Sequence, residues 1–123
     1  MQARTHVVVE AGRWLPLIPD VVASLPETSA VFEVASLVRH VLYVGRGEGN
    51  LQARLTALAR HPGGQLPPRV GGYWFRYHPT DAAAEADTAR AILDAYRRVH
   101  DGRTPPANAA DPHAAPPSER HAA

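Results

Sequence analysis

The chain has 123 residues, the size of one small domain, with 45% hydrophobic residues and 13 basic against 12 acidic side chains, a formal charge of +1. It contains no cysteine, which excludes disulfides, thiolate zinc sites and cysteine nucleophiles. The near-neutral balance leaves the chain without bulk basic character.

All the basic residues are arginine. Arginine forks match phosphate and carboxylate geometry; together with the many Ala, Pro and Gly residues, this usage also fits a GC-rich genome. The opening MQARTHVVVE lacks the apolar core of a secretory leader. No apolar run nears the roughly 20 residues that cross a bilayer. The expectation is a cytoplasmic protein with no membrane partner.

Residues 6–10 (HVVVE) are β-branched and read as an extra N-terminal strand. Pro16 and Pro19 break the next apolar stretch, leaving a loop and a short helix from about Asp20. Residues 30–35 (AVFEVA) read as a strand, residues 37–40 as a turn and residues 41–45 (VLYVG) as a second strand. Their closeness predicts an antiparallel hairpin. Asn50 is a natural N-cap for a helix running to about His61, where Pro62, Gly63 and Gly64 stop it. Residues 72–78 (GYWFRYH) form an aromatic third strand. Alternation puts Tyr73, Phe75 and Tyr77 on one face and Trp74, Arg76 and His78 on the other. A second helix follows from Pro79–Asp81 to about His100. The sum is a β-β-α-β-α core, a small, mainly antiparallel three-stranded sheet flanked by helices in an α+β fold. Residues 1–24 read as an extension packing on the core, residues 25–108 as the domain, and residues 109–123 as a disordered tail.

On the first helix, Leu51, Leu55 and Leu58 share one stripe. Arg54 sits roughly 60° from Leu51, on the stripe's shoulder. There it either aims at a phosphate or lays its stem along apolar surface. On the second helix, Ala82, Ala86, Ala89, Leu93 and Tyr96 share a stripe, and Glu85 lies on its shoulder. Glu85 needs a partner, with a divalent cation as one candidate and the helix N-terminus as the other. The turn GRGEGN (residues 45–50) can offer backbone N–H groups to an anion, but it lacks the Gly-Lys-Ser/Thr ending of a phosphate-binding P-loop. His40, His61, His78 and His100 lie near element ends without metal-ligand spacing.

Tyr43-Val44-Gly45, Asn50-Leu51, Arg54-Leu55 with His61 following, and the lead-in Leu25-Pro26 together resemble the GIY-YIG endonuclease superfamily. Pro105-Pro106-Ala107-Asn108 is similar to that family's terminal asparagine segment. Ala30-Val31-Phe32 departs from it, because a phenylalanine replaces the tyrosine and removes a hydroxyl. The likeness covers residues 25–108. It implies a phosphodiesterase site in which Tyr43 positions or deprotonates water, Arg54 stabilises phosphoryl charge and His61 assists. Glu85 would hold magnesium or manganese. Counting back from Tyr96 instead places the family's carboxylate near Ala89 or Arg90, where there is none. Arg46, Asn50, Arg69, Arg76 and Asn108 are the expected substrate contacts. The expected partner is nucleic acid, DNA first, with a homodimer or protein partner supplying specificity. The alternative is a catalytically impaired nucleic-acid-binding module or an accessory interaction domain on the same fold.

Overall fold

The computed structural model describes residues 10–110. Strand β1 is Leu15–Pro16, helix α1 Pro19–Val22, strand β2 Ala30–Ala35 and strand β3 Val41–Arg46. Helix α2 is Leu51–Arg60, strand β4 Trp74–Pro79 and helix α3 Glu85–Val99. Short 3-10 turns occupy Pro62–Gly64, Ala82–Ala84 and Asn108–Ala110. The architecture is α+β: a four-stranded sheet in the order β1-β4-β2-β3, every neighbouring pair antiparallel.

The sheet thus has one strand more than the predicted core. The fourth is the two-residue β1, pairing Leu15 with Phe75 and Pro16 with Trp74. It falls in a stretch read as loop because Pro16 lacks an N–H. A proline is tolerated in an edge strand, where that donor is not needed. Residues 6–9 of the predicted extra strand lie outside the described residues, as do residues 111–123 of the predicted tail. Ala109 and Ala110 complete the last 3-10 turn.

β2 is central and all six of its residues are buried. Alternation divides its side chains between two covered faces. Ala30, Phe32 and Val34 join Tyr43, Phe75, Tyr77 and the leucine stripe of α2 in the main core. Val31 faces the other way and packs with Val44, Ala89 and Leu93 against α3. The two helices therefore cover opposite faces of the sheet.

β3 is an outer strand with exposed backbone groups to satisfy. The C-terminal segment covers them. Ala107 donates its N–H to the Leu42 carbonyl at 2.9 Å. The Asn108 side chain accepts from the Val44 N–H and donates to the Val44 carbonyl, both at 2.8 Å.

Gly45 lies opposite Phe32 in the β2–β3 register, and the Phe32 and Tyr43 rings close over it. A Cβ there would meet Phe32 Cζ at 2.5 Å and Tyr43 Cε2 at 2.6 Å. Gly45→Ala should therefore destabilise the fold by about 1–3 kcal/mol through overpacking. Gly63→Ala, where a Cβ meets nothing within 4 Å, should cost far less. Urea unfolding of the two variants measures the difference.

Candidate functional site

The turn after β3 is built around a carboxylate. Glu48 and Gly49 have positive φ, 54° and 90°, which turns their N–H groups inward. Glu85, at the start of α3, receives them: Glu48 N–H to Oε1 at 3.1 Å and Gly49 N–H to Oε2 at 3.4 Å. The Ala30 N–H adds a third bond to Oε2 at 3.1 Å, and Arg46 Nε lies 3.5 Å from Oε1. The anion that this turn was expected to attract is thus the protein's own side chain. Glu85 is only 2% exposed, so it lies at the middle of the buried α3 stripe with Ala89 and Leu93, not on its shoulder. Ala82 is exposed because the first turn is 3-10, which shifts its angular position.

These surroundings do not fit a divalent cation. N–H groups and a guanidinium converge on the Glu85 oxygens, a donor set for an anion rather than a set of oxygen ligands. Among the described residues, no three His, Asp or Glu side chains form a metal-holding group.

Tyr43 and Arg54 meet on the opposite, α2-covered face. Arg54 Nη2 donates to the Tyr43 hydroxyl at 2.9 Å and Nη1 to Gln65 Oε1 at 3.3 Å. Its guanidinium carbon lies 5.9 Å from the Phe32 ring centre. Tyr43 is fully buried, while Arg54 is half-buried. Burial gives Tyr43 the role of holding the guanidinium rather than meeting solvent water. Phe32 contributes a ring beneath the guanidinium and no proton-transfer group.

The remaining predicted contacts do not converge on this pair. Asn50 caps α2, accepting from the Ala53 N–H at 3.0 Å. Asn108 is committed to the β3 edge. Arg46 belongs to Glu85, with its Nε buried and lacking a well-directed hydrogen bond. His61 is the exposed C-cap of α2. Arg69 is exposed and donates to the Pro68 carbonyl at 2.8 Å. The residues of the site that the resemblance implies are therefore separated onto two faces, because successive residues of a strand point to opposite sides. Tyr43 and Arg46, three positions apart on β3, fall on different faces.

Arg76 belongs to a cluster that the sequence reading missed. Glu33 pairs directly with it across β2 and β4. Arg76 donates Nε to Glu33 Oε2 at 2.9 Å and Nη2 to Oε1 at 3.2 Å. His78 Nε2 lies 2.8 Å from the same Oε2. Trp14 stacks under Arg76, 4.5 Å from ring centre to guanidinium carbon. Burial by itself would raise the Glu33 carboxyl, but hydrogen bonds and charge from His78 and Arg76 hold it below its ordinary value. The signal was present: a lone glutamate in an apolar strand buried on both faces requires a cationic partner.

Glu85→Gln should destabilise the protein by about 2–4 kcal/mol in urea unfolding, since it removes the charge that matches Arg46 and three N–H groups. The cluster on β2 and β4 predicts a pH dependence. A depressed carboxyl stabilises the fold above its unfolded value and loses that contribution as pH falls through the lower folded value. The stability gap between the parent and Glu33→Gln should therefore be full at neutral pH and shrink below pH 4.5. Comparison of the chain with protein-family models, curated proteins and solved structures finds no match.

Proposed function

We propose that this chain is a nucleic-acid-binding module on a scaffold similar to the GIY-YIG nuclease fold, contacting phosphate through Arg54 and without metal-dependent cleavage. The observation that carries this reading is the seating of Arg54. Its guanidinium is oriented by the buried Tyr43 hydroxyl and by Gln65, yet reaches the surface of α2. A fork held in one geometry loses little entropy on meeting a phosphate. Exposed Arg60 and Arg69 lie in the same helix and the loop that follows it, adding charge local to that region although the whole chain carries only +1. The β-β-α-β-α order, with both flanking strands antiparallel to β2, agrees with the resemblance. Glu85 argues against cleavage, because its oxygens are engaged by N–H groups and Arg46 on the other face.

Fluorescence anisotropy with labelled single- and double-stranded DNA across a salt series tests the proposal. Affinity should fall steeply as salt rises. Arg54→Ala should weaken binding and lower the salt slope by about one, whereas Arg98→Ala, on the exposed side of α3, should leave both unchanged. No binding at low salt overturns nucleic-acid recognition. DNA cleavage in magnesium or manganese that disappears in Arg54→Ala overturns the non-cleaving assignment.

A further inference from the structure

The α3-covered face holds a groove of about 610 Å³, walled by Val44, Ile92 and Tyr96 and floored by Glu33, Arg76 and His78. Its size falls within the range of small-molecule sites, roughly 300–1,000 Å³. Its composition follows the same pattern: apolar walls with a few polar groups converging at one place.

The floor sets one carboxylate against a guanidinium and an imidazole. Among the described residues, Glu33 is the only carboxylate lining the groove, and its side chain, 7% exposed, is engaged by both Arg76 and His78. The Glu33 contact uses Nε and Nη2 of Arg76. Nη1 makes no hydrogen bond among the described residues, and neither does Nδ1 of His78. Both side chains are 34% exposed. Glu33 thus fixes the fork and the ring while leaving Nη1 of the part-exposed guanidinium uncommitted. A carboxylate is a charge-assisted acceptor for such an N–H, and the apolar walls call for a ring-sized hydrophobic body attached to it.

We propose that this groove binds a small amphipathic acid, its carboxylate on Arg76 beside His78 and its apolar body against Val44, Ile92 and Tyr96. The site lies on the face opposite Arg54 and stands independently of nucleic-acid binding.

The test is a 15N–1H NMR titration of the full chain with 2-naphthoate and, separately, with its neutral isostere 2-naphthamide. Naphthoate should bind with shifts centred on Val44, His78, Thr88 and Ile92. Naphthamide should bind about tenfold more weakly, the loss expected for one charge-assisted hydrogen bond. Ile92→Trp, which fills the groove, should abolish binding, and Arg76→Gln should weaken naphthoate toward the level of the amide. Equal affinity for the two probes, shifts centred elsewhere, undiminished binding by Ile92→Trp or no binding to the solubility limit of naphthoate each overturn the proposal. The two-probe comparison uses the unmodified chain, so it decides the matter even if a variant fails to fold.

Discussion

A single buried carboxylate organises this domain. Three backbone N–H groups, one at the start of β2 and two in the turn after β3, are satisfied by Glu85 at the start of α3. Without it, polar backbone would be left buried or the turn would have to open toward water. The same bonds tie α3 to the sheet and, through the turn, set where α2 begins. Arg46 supplies the compensating charge. Both oxygens are surrounded by N–H donors and a guanidinium, surroundings that suit the anion itself and disfavour a cation beside it.

The consequence extends to the rest of the sheet. With α3 anchored on one face and α2 packed on the other, β2 is buried from both sides, and each strand distributes its polar residues to two separate environments. On the α2 side, Tyr43 and Gln65 orient Arg54 at the rim of an aromatic core. On the α3 side, Glu33 gathers Arg76 and His78 at the floor of a groove. Each arginine is oriented by a buried or half-buried neighbour.

The covering of the sheet edges is equally economical. β1 is only two residues long and contains Pro16, so it offers little backbone for pairing with another chain. β3 is closed by Ala107 and by the side-chain amide of Asn108, which makes the paired bonds of a neighbouring strand with Val44. Asn108 had the character of a substrate contact in the sequence. Its placement makes it part of the sheet, and no helix of the described residues is long and apolar enough to cross a membrane.

Local physics made much of this legible in the sequence. Apolar runs and the glycine turn located β2, β3 and β4, Asn50 announced the start of α2, and the leucine spacing marked its buried face. These properties depend on residues within a few positions of one another. The short β1 was hidden because it exists only by pairing with β4, some 60 positions away. The functions of Glu85, Asn108 and Glu33 were hidden for the same reason: their partners lie 36–64 positions distant in the chain. The sequence by itself determined which segments become strands and helices and which charged residues needed partners. Only the tertiary structure decided who those partners are, because strand register and helix placement assign each side chain to one face of the sheet, and a charge satisfied on one face is lost to the other.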